Sequence, residues 1–158
     1  MAVTIEVNSC RTVTVTKPIE ETYRYLMTPE TSLLKDFPGL KAMEPLSPSV
    51  FRWVFKKVSY SGQDFEIRFA TRFTPEPPNK ISVASVEDPS TFGSSRMHGE
   101  WRLKALPDQR TEITFDVKLQ TELPIPFFLK AMAAPLAQTE LGKLFDRYLA
   151  NVAKTLDS

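Results

Sequence analysis

The sequence predicts an α+β fold: an antiparallel sheet of about seven strands, two short helices after the first strand, and one long C-terminal helix. Three observations carry this. A series of segments alternates apolar and polar residues, as half-buried strands do. Two stretches after the first of them hold helix-start signals. Beyond Phe127 the apolar spacing changes from two to three and four, the mark of an amphipathic helix. A length of 158 residues suits one domain, residues 1–158, with a core large enough to need no metal or disulfide.

Val3, Ile5, Val7, Val13 and Val15 share one parity, and Thr4, Glu6, Thr12, Thr14 and Thr16 the other. Residues 3–16 are therefore the first strand, with an irregularity expected at Asn8–Arg11, where the pattern lapses. Pro18 opens a short helix, Glu20 and Glu21 suit its first turn, and Ile19, Tyr23, Leu26 and Met27 form its apolar face. Thr28-Pro29-Glu30 reads as a second start, with Thr28 as N-cap and Pro29 at the first helical position. Phe37-Pro38-Gly39 ends that helix near Asp36. Strands are expected at 40–46 and at 50–60, the second with Phe51, Trp53 and Phe55 on one parity, before a turn at Ser61-Gly62. Phe65, Ile67, Phe69 and Phe73 then alternate with Asp64, Glu66, Arg68 and Arg72. A turn at Pro75–Asn79, a strand at Ile81–Val86 and a longer loop at Glu87–Ser95 follow. Met97, Gly99, Trp101 and Leu103 alternate with Arg96, His98, Glu100, Arg102 and Lys104. After Pro107-Asp108, Ile113, Phe115, Val117 and Leu119 alternate with Glu112, Thr114, Asp116 and Lys118. Such alternation suits a sheet with one wet and one dry face. In the tail, Leu129, Met132, Leu136, Leu141, Leu144, Phe145, Tyr148, Leu149, Val152 and Leu156 form the helical stripe. Pro135 predicts a kink or break within it, with the helix beginning between Pro126 and Gln138.

Lys and Arg total 20 against 19 Asp and Glu, a net charge of +1, which argues against bulk binding to nucleic-acid phosphates. A single Cys10 excludes an intramolecular disulfide and any cysteine-based zinc site, and a single His98 excludes motifs that need two histidines. The five glycines are scattered, so no phosphate-cradling loop exists, and no metal or cofactor is expected. The sequence opens without a basic stretch and apolar run, and no segment approaches the roughly 18 apolar residues of a membrane span. The expected location is the cytoplasm, with Cys10 reduced.

Three stretches carry a family resemblance. Val13-Thr14-Val15-Thr16-Lys17-Pro18-Ile19-Glu20-Glu21-Thr22-Tyr23 is similar to the opening strand, proline and first-helix aromatic of the START-like superfamily, also called SRPBCC. Phe37-Pro38-Gly39-Leu40-Lys41-Ala42-Met43 resembles its hydrophobic-Pro-Gly stretch, and Arg96 to Leu103, with Gly99 before Trp101, resembles a strand of that family. The family includes polyketide cyclases, coenzyme-Q-binding proteins and lipid-transfer domains. The resemblance implies a helix-grip fold, in which a curved sheet wraps the C-terminal helix around a cavity for a hydrophobic small molecule. It does not by itself fix the function.

The inward parities hold Phe51, Trp53, Phe55, Phe65, Phe69, Phe73, Trp101 and Phe115. Flat apolar side chains suit a ligand pocket, and they also dominate ordinary cores. Ala131, Ala133, Ala134 and Ala137 crowd the first half of the last helix, so a cavity is expected nearer that half. The candidate ligand-binding residues are Phe37, Trp53, Phe55, Phe65 and Phe69, then Met97, Trp101 and Phe115, with Ala131, Met132 and Ala134 from the helix. Phe92, beside Gly93, and Phe128 complete the set, and ligand is expected to pass between Glu87–Ser95 and Pro126–Pro135. The segment Leu123–Lys130 suits a lid, or peripheral membrane contact through Phe127, Phe128 and Lys130. His98 falls on the solvent parity, and no carboxylates pair at a spacing suited to acid–base work, so no catalytic residue is assigned.

Three functions remain open at this point. The first is binding or transport of a hydrophobic molecule such as a lipid, quinone or polyketide. The second is a cyclase or aromatase, in which positioning supplies much of the rate. The third is an accessory role with a macromolecular partner. A wholly apolar cavity favours the first, a polar group inside it the second, and a filled core with an exposed apolar patch the third.

Overall fold

The computed structural model describes residues 3–60, 62–91, 95–123 and 130–157. Its elements in chain order are β1 (Val3–Val15), α1 (Ile19–Leu26), α2 (Pro29–Asp36), β2 (Leu40–Ser47), β3 (Val50–Phe55), β4 (Val58–Tyr60), β5 (Gln63–Phe65), β6 (Arg68–Glu76), β7 (Lys80–Val86), β8 (Arg96–Leu106), β9 (Arg110–Leu123) and α3 (Lys130–Asp157). Seven strands make one antiparallel sheet in the order β1-β9-β8-β7-β6-β3-β2, and β4 pairs with β5 as a separate ribbon. The α+β helix-grip arrangement expected from the sequence is the one observed.

Three local expectations are corrected. The first strand has no irregularity at Asn8–Arg11: β1 pairs with β9 without a register shift from Val3↔Leu123 to Val15↔Thr111. The polar residues there are answered by α3. The Gln138 carboxamide accepts from the Asn8 N–H at 3.3 Å and donates to its carbonyl at 2.8 Å, as a neighbouring strand would. Arg11 Nε donates to Asp146 at 2.7 Å. Asp157 accepts from the Thr16 N–H at 2.7 Å and from its hydroxyl at 2.8 Å. From Asn8 to Thr16 the strand rises about 26 Å and from Gln138 to Asp157 the helix rises about 28 Å, so α3 runs alongside the β1 edge in the same direction.

The expected strands at 50–60 and 64–73 both break. The β3–β6 ladder ends at Val54↔Arg68, the Phe55 N–H still reaches the Ile67 carbonyl at 3.0 Å, and the Lys56 N–H turns to the Gly39 carbonyl at 2.8 Å. The Lys56 bond continues the β2–β3 pairing one residue past Leu40↔Phe55 while β6 parts from β3, and the rest of the hairpin pairs separately as β4 and β5. The third correction is at Pro135, where α3 is not broken. Pro135 lies near the helix start, so its missing N–H removes a single bond to the backbone carbonyl at position 131.

A buried carboxylate joins α2 to α3. Asp36 accepts from the Tyr25 hydroxyl, and from the Thr155 hydroxyl at 2.8 Å, while its backbone carbonyl accepts from Asn151 at 2.8 Å. Burial, with the bond to Asp36 behind it, raises the Tyr25 phenol well above its ordinary value, so it stays a donor. On the sheet face opposite α3, the chain after β7 crosses back over the fully buried Ala70 to reach β3. There Asp88 receives both Nε (2.7 Å) and Nη2 (2.9 Å) of Arg52 and the Ser90 hydroxyl. Those bonds, the Arg52 pair first, hold the Asp88 carboxyl down at about 2.

Gly99 lies where β8 parts from β7, whose last pair is Ala84↔His98. Beyond it the Ser85 hydroxyl accepts from the Met97 N–H at 2.7 Å in place of the ladder. A Cβ on Gly99 would lie 2.6 Å from the Asp116 carbonyl oxygen and 3.1 Å from the Val117 Cα, both backbone atoms that cannot swing away.

Two predictions follow from these contacts. Gly99→Ala should destabilise the protein by about 1–3 kcal/mol through overpacking, measured by urea unfolding. The Asp88 carboxyl is depressed in the folded state from an ordinary 3.8, so its contribution is complete above that value and vanishes as pH falls towards about 2. Wild type should therefore lose more stability than Asp88→Asn between about pH 5 and pH 2, as thermal unfolding across that range would record.

Candidate functional site

The face of the sheet beneath α3 is divided into a filled and an unfilled part. In the filled part, aromatic rings form a continuous series. Trp53 stacks on Phe73 at 6.4 Å between centroids, Phe73 on Trp101 at 6.0 Å, and Trp101 tilts against Phe115 at 4.9 Å. Phe115 meets Tyr148 edge-on at 5.4 Å, which closes the series against α3. The indole N–H groups are both used: Trp53 donates to the Thr71 hydroxyl at 2.9 Å and Trp101 to the Tyr148 hydroxyl at 3.0 Å. Burial pushes the Tyr148 phenol far above its ordinary value, so it stays neutral.

Next to this packed region lies a cavity of about 220 Å³. Phe37, Pro38 and Gly39 form one wall, Trp53, Phe55, Ile67 and Phe69 the floor, Met97, Val117 and Leu119 the opposite side, and Leu141, Leu144 and Phe145 of α3 the roof. Lys56 and Lys57, both exposed, stand at its mouth and are the charged residues of the described lining. The local sequence explains the wall. Asp36 pins the end of α2, Gly39 takes a positive φ of 80°, and the turn swings Phe37 beneath α3. There Phe37 packs against Trp53, Phe55, Phe145 and Tyr148.

The structure sorts the candidate ligand-binding residues. Phe37, Trp53, Phe55, Phe69 and Met97 line the cavity together. Trp101 and Phe115 do not: their faces are taken by Phe73, by each other, and by Tyr148 and Phe145, so they belong to the packed part. Phe65 lies on β5, and Ala131, Met132 and Ala134 in the first turns of α3, in stretches whose side chains are outside those described. Phe92, Phe127 and Phe128 lie outside the described residues, as does most of the passage expected between the loop and the helix start. The described residues of that loop, Glu87–Thr91 and Ser95, are not among the cavity lining. His98 is exposed, as its parity implied.

Several lining residues were missed by the sequence reading. Val117 and Leu119 share the inward parity of Phe115, and Leu141 and Leu144 lie on the apolar stripe of α3, so the signal was present without a reason to prefer them. Lys56 and Lys57 had no such signal, because the expected strand placed them inside a ladder rather than at its end. Among the described residues no helix is long and apolar enough to cross a membrane.

Comparison of the sequence with protein-family models and with curated proteins gave no match. Comparison of the structure did. A START-superfamily protein from Mycobacterium smegmatis superposes with a TM-score of 0.69 at 17% identity, covering 94% of this chain and 96% of that one. The Zhui aromatase/cyclase from a Streptomyces species gives 0.68 at 16% identity over 99% and 94% of the two chains. The di-domain aromatase/cyclase StfQ of the steffimycin biosynthetic pathway gives 0.64 at 12% identity, covering 96% of this chain and 51% of that one. The fold is thus the START-like, or SRPBCC, helix-grip fold shared by these aromatase/cyclases. Identities this low establish the fold and leave the activity to be argued from the site.

The Trp101–Tyr148 end of the packed series is expected to act as a scaffold, since neither residue lines the cavity. Tyr148→Phe strands the buried Trp101 N–H and should cost about 1–3 kcal/mol in chemical denaturation. Cavity binding by a fluorescent apolar probe should be unchanged.

Proposed function

We propose that the chain binds a hydrophobic small molecule in the cavity between the sheet and α3. The single observation that carries this reading is the lining itself. The described walls are aromatic and aliphatic, and the charged groups stand at the mouth rather than inside. A concave apolar surface beside a well-packed core is what a binder of such a molecule requires. Leaving it unfilled forfeits packing contacts that the neighbouring ring series shows this fold can make.

The aromatase/cyclase neighbours support a second reading, a cyclase-type enzyme. Such a role would call for groups able to hold or move a proton beside the reacting atoms. The Tyr148 hydroxyl already bonds the Trp101 indole, and His98 is exposed. The described lining therefore favours binding over catalysis.

Filling the cavity tests the proposal. Leu144→Trp and Leu141→Trp each place an indole into the roof. Both variants should fold, by circular dichroism, and should bind the neutral probe N-phenyl-1-naphthylamine about tenfold or more weakly than wild type. Folded variants that bind it as wild type does would place the ligand elsewhere.

A further inference from the structure

The mouth of the cavity bears charge of one sign. Building on the binding role above, we propose that the ligand is an amphiphile with a single apolar body and an anionic head, and that Lys56 and Lys57 hold that head at the rim. Four observations support this.

The first is chemical complementarity. Lys56 and Lys57 are the charged members of an otherwise apolar described lining, and both are exposed. Their aliphatic stems extend the apolar wall while their ammonium groups remain in water. A ligand carboxylate or sulfonate at that level stays partly hydrated, while its apolar body is enclosed.

The second is the set of surrounding charges. Among the described residues, no carboxylate lies within ion-pair distance of Lys56 or Lys57. Glu66, beside the lining residue Ile67, is taken up by Arg68 and by Lys41 at 3.6 Å. The Arg68 bond, with Lys41 behind it, holds the Glu66 carboxyl below its ordinary value. Asp64 on β5 is engaged in an interaction of its own. The group of Lys41, Lys56, Lys57 and Arg68 thus outnumbers the two acids, and the two rim lysines remain open to an incoming anion.

The third is fixed placement. Lys56 is where β3 leaves the ladder, and its N–H is held by the Gly39 carbonyl at 2.8 Å. The lysine pair is therefore anchored by backbone to the same turn that sets Phe37 in the cavity wall.

The fourth is size. About 220 Å³ is below the roughly 300–1,000 Å³ of pockets for drug-sized ligands. That suits one chain or one ring system and not a two-chain lipid.

The test separates the head from the body. Dodecanoate and dodecan-1-ol share a chain and differ in charge, and each can displace N-phenyl-1-naphthylamine from the wild-type protein at neutral pH. Dodecanoate should bind roughly three- to tenfold more tightly, as two partly exposed ion pairs supply, and rising salt should weaken dodecanoate alone. In Lys56→Gln/Lys57→Gln the preference should vanish, with the probe and the alcohol bound as before. In Lys56→Glu/Lys57→Glu it should turn towards dodecylammonium. Equal binding of acid and alcohol by wild type, or a preference that survives the double glutamine variant, overturns the anionic head while leaving the cavity intact. A wild-type protein that does not bind the neutral probe overturns the binding role itself, and this inference with it.

Discussion

The carboxylate of Asp36 is the constraint on which the rest of the molecule depends. It sits at the end of α2, buried, and takes hydrogen bonds from Tyr25 in α1 and Thr155 in α3, while Asn151 holds its backbone carbonyl. Two neighbouring helices and one from the far end of the chain thereby meet at one residue. A buried carboxylate is tolerated only when donors surround it, so the knot forms as a unit or not at all. Its consequence lies one residue further on. With Asp36 held, the Phe-Pro-Gly turn has one way to leave, and Phe37 is driven between Trp53 and Phe145.

From that point the sheet and helix divide their contact surface. Towards the C-terminal half of α3, Tyr148 reaches Trp101 and Phe115, and the rings pack without a gap. Towards its middle, Leu141 and Leu144 face Val117, Leu119 and Met97 across open space. Close packing in one part makes the vacancy in the other a built feature rather than a general looseness, because α3 is held on either side of Leu141 and Leu144. Gln138 bonds the Asn8 backbone on the β1 edge before them, and Asp157 closes on Thr16 after them. Gly142 gives Arg11 room between them, since a Cβ there would lie 3.0 Å from its guanidinium.

The breaks in regularity cluster around the cavity. β3 and β6 part at Phe55 and Ile67, and β7 and β8 part at Ala84 and His98, so Phe55, Ile67 and Met97 are all lining residues near strand ends. Where a ladder stops, side chains no longer need to interdigitate with a neighbour on the same strand pair, and a hollow can persist. The Met97 N–H freed there is answered locally by the Ser85 hydroxyl.

The sequence by itself determined the class of fold. Alternation marked the strands, proline and acidic residues the starts of α1 and α2, and three-four spacing the face of α3, because each signal is local and acts through the backbone period. It also marked the inward strand residues, which is why Trp53, Phe55, Phe69 and Met97 were named and are found together at the cavity, joined there by Phe37 of the Phe-Pro-Gly stretch. Only the tertiary structure decided which inward residues close on one another and which leave space. Trp101 and Phe115 carry the same pattern as Phe69, yet Tyr148 and Phe145 arrive from α3 to cover them. Lys56 and Lys57 read as strand residues, yet β6 parts from β3 at Val54↔Arg68 and leaves them beyond the end of β3. Arg11 read as a fault in β1 until Asp146 supplied its partner from the far end of the chain. In each case the deciding group comes from a distant part of the sequence, and periodicity carries no information about contacts of that range.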